Sequence, residues 1–252
     1  MRRPRSNASP LILGALCALA ALAAPISAIA ATISYGNFGP VPPGVSFIDV
    51  RESSGTDPLP LYGAPDLFSV GLDFDPASFL ATANGGTQDL TDGQLNLTLS
   101  SDPSVGITSI NLSEAGDYTL AGAGTAATRA LAGAILRATV TQIDGVDVAP
   151  LSLVPVNASI QFDLAANPGV LQPWSLGLLL DVAAALSPGQ RATRVELVID
   201  DQLLAFSELG SAAFIAKKDF RLEIGTVPEP SIVLLLLLAS GAAAVGRRPR
   251  RA

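Results

Sequence analysis

The chain has 252 residues, 49% of them hydrophobic and 5% aromatic, with 23 glycines, 19 prolines and a formal charge of −7. It holds no histidine and one cysteine, Cys17, inside an oily N-terminal stretch, which excludes disulfides, thiolate zinc sites and Cys- or His-based catalysis from the body. Between Ala31 and Pro228 lie 8 basic and 21 acidic residues, a net −13, so this part repels nucleic-acid phosphates and anionic headgroups.

The opening stretch reads as a secretory signal peptide: Arg2, Arg3 and Arg5, an apolar run from Leu11 to Ala24, a breaker at Pro25 and small residues beyond. Ala28 and Ala30 satisfy the small-x-small rule, with cleavage after Ala30 preferred and after Ala28 second. Leu16 precedes Cys17 where a lipoprotein site wants a small residue.

Past the leader no long stretch keeps a helical period. Short β-rich runs are punctuated by turns: VSFIDVRE, LFSVGLDFDP, DGQLNLTLSS, GITSINLSEAGDYTLAG, ILRATVTQIDGVDVAPLSLVP, VNASIQFDLAANPG, TRVELVIDDQLLAFSE and FRLEIG. Leu95, Leu97 and Leu99 alternate with Asn96 and Thr98, as in a half-buried strand. Asp144-Gly145 predicts a tight hairpin, and Asp200-Asp201 predicts a turn inside VELVIDDQLLAF. WSLGLLLDVAAALSPG reads as a strand through Leu180 followed by a short helical turn over 183–186, stopped by Pro188. Lys217-Lys218 reads as a solvated device on an edge strand. The fold class is all-β, one β-sandwich or jelly roll.

Carboxylates are the plentiful reactive groups. A glycosidase-like pair would come from Asp73, Asp75, Asp163, Asp181, Glu196 and Glu223. Strand-end aspartates also serve turns and solubility, and the expectation is no enzyme and no resident cofactor. Were calcium to bind, DFDP and DLTDG would supply it with Asp73, Asp75, Asp89 and Asp92, although no EF-hand loop is present. Trp174, the sole tryptophan, suits core or rim packing better than sugar stacking.

The chain closes on Pro228-Glu229-Pro230, an uncharged run from Ile232 to Val245, and Arg247, Arg248, Arg250 and Arg251. As a helix the run spans about 21 Å, against roughly 30 Å of hydrocarbon. The arginines stop translocation and leave the body on the outer side.

Pro-Glu-Pro, an oily run and a terminal arginine cluster, in that order and opposite a signal peptide, resemble the PEP-CTERM sorting signal. That resemblance implies recognition by exosortase, a membrane protease-transferase of Gram-negative bacteria that secrete exopolysaccharide. It also implies export through the Sec translocon, transient inner-membrane anchoring, tail removal, and delivery to the cell surface or matrix. ISYGNF, SSGTDPLPLYGAP, LDFDPASF, LTDGQLNL, LSEAGDYTLAGAGTA and AFIAKKDF are similar to a recurrent group of exported PEP-CTERM proteins, with no catalytic motif to transfer. The expected organisation is a signal peptide over 1–30, an acidic β-sandwich over 31–226, and a sorting signal over 227–252 with its hydrophobic transmembrane helix at 232–246. The expected function is that of a non-enzymatic surface or matrix protein. The alternative is a domain that binds or cleaves the exopolysaccharide.

Overall fold

The computed structural model describes residues 31–228. Ala28, Ala30, Glu229, Pro230, the hydrophobic run and the terminal arginines lie outside the described residues. Thirteen strands occupy 31–228: β1 (Ala31–Val41), β2 (Val45–Ser54), β3 (Asp66–Phe68), β4 (Gly71–Phe74), β5 (Leu80–Asn84), β6 (Gln88–Ser101) and β7 (Val105–Gly122), then β8 (Arg129–Ile143), β9 (Val146–Ser152), β10 (Val156–Asp163), β11 (Gly169–Asp181), β12 (Ala192–Phe206) and β13 (Ser211–Pro228). A single 3-10 turn, Ala183–Ala185, follows β11, as the sequence pattern predicts.

Every pairing is antiparallel, and two ladders result. One runs β1-β2-β6-β12-β8, with β10 and β9 side by side along the far edge of β8. The other runs β11-β7-β13, with β5 and β4 along the far edge of β13 and β3 beyond β4. They meet edge to edge at one corner through the bridge of Ala192 to Ile107. The result is an all-β, nearly closed sandwich around one core.

The alternating residues build that core. From the first ladder come Phe47, Leu95, Leu97, Leu99, Leu136, Val195, Leu197 and Ile199; from the second, Leu72, Phe74, Ile110, Leu112, Ile215, Phe220 and Leu222. The hairpin at Asp144-Gly145 forms with φ of 49° and 78°, both left-handed, as a two-residue primed turn demands.

Two expectations fail. β12 runs unbroken through Asp200 and Asp201, because each finds ladder partners on both sides, in β6 and in β8. Lys217 and Lys218 lie on β13, an interior strand flanked by β7 on one side and by β5 and β4 on the other. Lys218 is the extra residue of a bulge opposite Gly116 and Ala115, and it points outward to pair with Asp117. Lys217 points inward and is 1% exposed.

Candidate functional site

The acids singled out from the sequence do not converge. Asp73 on β4 binds Arg221 Nε at 3.0 Å, and Asp75 is exposed just beyond that strand. Asp89 accepts the Thr82 amide at 2.8 Å, and the Asp92 amide donates to the Thr56 hydroxyl at 2.8 Å. Asp163 accepts the Ala166 amide and Asp181 that of Ala184, both turn-closing bonds. Glu196 faces outward on β12 into a groove of about 240 Å³ that it shares with Asp49 and Arg51. Glu223 accepts a long bond from Asn111. Among the described residues no three acidic, histidine or cysteine side chains group to hold a metal. Trp174 is buried and donates its indole N–H to the Ala216 carbonyl at 3.1 Å.

The structure instead assembles a charged cluster in the core, from three residues whose inward placement sequence reasoning missed. Glu114 follows Ile110 and Leu112 in the inward phase of β7, Asp201 follows Val195, Leu197 and Ile199 on β12, and Lys217 follows Ala213 and Ile215 on β13. Their in-phase position was the available signal: a charge in a hydrophobic register points where its neighbours point. Lys217 Nζ lies 2.7 Å from Asp201 Oδ2 and 2.8 Å from Glu114 Oε2. All three side chains are at most 1% exposed. These are ion-pair distances, yet the angles leave the ammonium without an aligned hydrogen bond.

Aromatic rings enclose the cluster. Nζ stands 4.7 Å from the Phe79 centroid, 5.2 Å from Phe220 and 5.7 Å from Tyr62. Those contacts offer the cation partial compensation for lost water. Tyr62 meets Phe79 and Phe220 edge-on, each at 5.2 Å between centroids. The loop carrying Tyr62 is tied down by Glu52, buried on β2, whose carboxylate accepts the Leu61 and Tyr62 amides and the Tyr35 hydroxyl. The Tyr62 hydroxyl then sits 2.8 Å from Asp201 Oδ2 and 3.0 Å from the Gly93 carbonyl. Gly93 must be glycine here: an added Cβ would stand 2.6 Å from Phe79 Cε2.

Protonation follows from the inventory of groups. Were both carboxyls ionised, Glu114 Oε1 and Asp201 Oδ1 would be buried acceptors without a donor, an arrangement costly in a dry interior. Burial, then the nearby Asp201 charge, pushes the Glu114 carboxyl well above the usual carboxylate range, against the opposing pull of Lys217. A proton on Glu114 would remove one of the two negative charges and resolve the conflict. Burial also raises the Tyr62 phenol, with the Asp201 charge second, so that hydroxyl stays a donor.

The other candidate site is the exit of the chain. β13 continues through Thr226 and Val227 to Pro228, paired with Ile107, Gly106 and Val105 of β7. The last strand of the sandwich therefore leads directly into Glu229 with no intervening linker. Among the described residues no helix is long and apolar enough to cross a membrane.

Residues 226–251 match the PEP-CTERM protein-sorting motif. The motif implies an exported protein that exosortase processes and that is transiently anchored in the membrane. No curated protein matches the chain. Among solved structures, that of TmCBM61 in complex with β-1,4-galactotriose aligns over 79% of this chain and 90% of that one, at 8% identity and a TM-score of 0.26. The structure of the infectious bursal disease virus Gx strain aligns over 79% and 61% respectively, at 14% identity and a TM-score of 0.15. At such scores the sandwich is defined by its own strand pairing.

Proposed function

We propose that the protein is a non-enzymatic surface or matrix component, delivered through the Sec translocon, cleaved from its tail by exosortase and retained with the exopolysaccharide of a Gram-negative cell. The observation that carries the reading is the sorting motif over residues 226–251, entered directly from β13. Pro228 and Pro230 cannot supply amide hydrogens and disfavour helix in the residues before them, so helix does not run back out of the membrane and Glu229 is presented at its surface. The run over 232–245 partitions into the bilayer while mismatching its thickness, and the arginines fix its orientation. A body in which Asp73, Asp163 and Asp181 each serve a local bond, and whose tryptophan is buried, suits a structural role.

Mass spectrometry of the exported protein tests this. In an exosortase-positive host the mature form lacks Met1–Ala30 and everything downstream of the Pro-Glu-Pro region. Peptides from Ser231 to Arg247 recovered from that form would reduce the tail to a permanent anchor. So would unaltered processing after replacement of Pro228, Glu229 and Pro230 by alanine.

A further inference from the structure

The sorting reading leaves the Lys217 cluster without a task. A lysine and two carboxyls buried this completely are expensive to desolvate, and an apolar trio of similar volume would serve stability as well. The arrangement does place an amine against a carboxyl carbon in a dry, aromatic-walled site. Asp201 Cγ is one bond beyond the Oδ2 that Lys217 Nζ touches at 2.7 Å. In water these groups do not condense, because the amine is protonated, the carboxyl ionised and hydrolysis favoured. A dry site excludes the water that drives hydrolysis and lets a proton pass directly between touching groups, and fixed juxtaposition replaces a bimolecular encounter with a unimolecular one.

We propose that Lys217 and Asp201 join through an intramolecular isopeptide bond, formed without another enzyme, with Glu114 as the proton carrier. The step balances. The ammonium gives one proton to the Asp201 carboxylate, leaving a neutral amine and a neutral acid. The amine lone pair attacks Cγ and forms the N–C bond. Glu114 passes its own proton to the departing oxygen and takes one from the nitrogen, ending as it began. The Cγ–O bond breaks, and one water leaves. No oxidant, reductant or cofactor is involved, and one positive and one negative charge disappear from the core together.

The surroundings fit each demand. Glu114 Oε2 lies 2.8 Å from Nζ and Asp201 Oδ2 lies 2.7 Å from the same Nζ, so the carboxyl of Glu114 stands beside the nitrogen whose proton must move. The Tyr62 hydroxyl, 2.8 Å from Oδ2, is aimed where negative charge develops on the carboxyl. Asp201 belongs to one ladder and Lys217 to the other, so the bond staples the two layers of the sandwich. In an exported body with no cysteine, it supplies the covalent tie that a disulfide gives elsewhere.

The test is peptide mass after denaturation and tryptic digestion of the folded, full-length protein. The expected product is Val195–Lys218, uncut after Lys217 and one water lighter than its sequence. Lys217→Met should abolish the deficit, and Glu114→Gln, which keeps shape and a donor, should slow its appearance by about 10²-fold or more. Folded wild-type protein that yields Val195–Lys217 at full mass overturns the bond. So does a deficit that persists in Lys217→Met. Bond formation at the wild-type rate in Glu114→Gln overturns the role given to Glu114.

Discussion

Asp200 and Asp201 are neighbours in sequence and opposites in environment. Asp200 points outward, pairing with Arg137 and accepting from Gln94 at 2.6 Å; Asp201 points inward with no exposure at all. Urea unfolding should separate them. Asp200→Ala should cost under about 1 kcal/mol, as partly exposed ion pairs do, and Asp201→Ala about 3–5 kcal/mol, because a buried lysine loses its partner. The pair also shows what a sequence hides. Two adjacent acids read as a turn when counted for polarity. They read as a strand when Asp201 is placed in phase with Val195, Leu197, Ile199 and Leu203. The same test of phase separates Lys217 from Lys218.

Glu208 offers a second prediction at this scale. It accepts the Thr125 amide at 2.6 Å and the Thr128 hydroxyl at 3.0 Å, and these bonds, the Thr125 amide first, hold its carboxyl below the usual range. A depressed carboxyl favours the fold above its unfolded pKa and loses that contribution as pH falls through the folded one. Glu208→Gln should therefore lower the urea midpoint modestly at neutral pH. Its midpoint should also fall less steeply than wild type on acidification below the usual carboxylate range.

Single elements were the most legible part of the chain. The alternation in β6, the hairpin turn at Asp144-Gly145, and the strand-then-turn reading of residues 174–186 each rest on local chemistry that neighbouring strands reinforce. Bulges were not legible, since an extra residue exists only relative to a partner. The bulge at Lys218 lets Lys217 and Phe220 both face the core, which no reading of β13 alone reveals. Glycines inside strands sort in the same way. In Gly93→Ala the new methyl would stand 2.6 Å from Phe79 and 3.1 Å from Tyr62, and thermal unfolding should report a loss of about 1–3 kcal/mol, as overpacking does. Gly133→Ala meets nothing closer than 3.7 Å and should stay within about 0.5 kcal/mol of wild type.

At the scale of the molecule, the sorting signal was more legible than the buried site. Address signals are contiguous, so Pro228 to Arg251 can be read as a string. The cluster of Glu114, Asp201 and Lys217 exists only after β7, β12 and β13 have met, and β7 pairs with β13 across about a hundred residues of chain. Such pairing carries a large loop-closure cost before any contact offsets it. Local periodicity says that these strands exist, not which strands they face.

β13 is both the last strand among the described residues and an interior one, and under the proposed export that sets an order of events. Until Ser211–Pro228 is available, β7 has an open edge and Phe220, Leu222 and Ile224 are missing from the core, so the sandwich cannot close. The Pro-Glu-Pro of the sorting motif overlaps the end of that strand at Pro228. Completion of the fold and presentation of the cleavage region thus fall at the same moment and within a few residues of each other. Under the proposed sorting, a chain whose β13 has docked meets the exosortase with its body closed, and a chain still open does not.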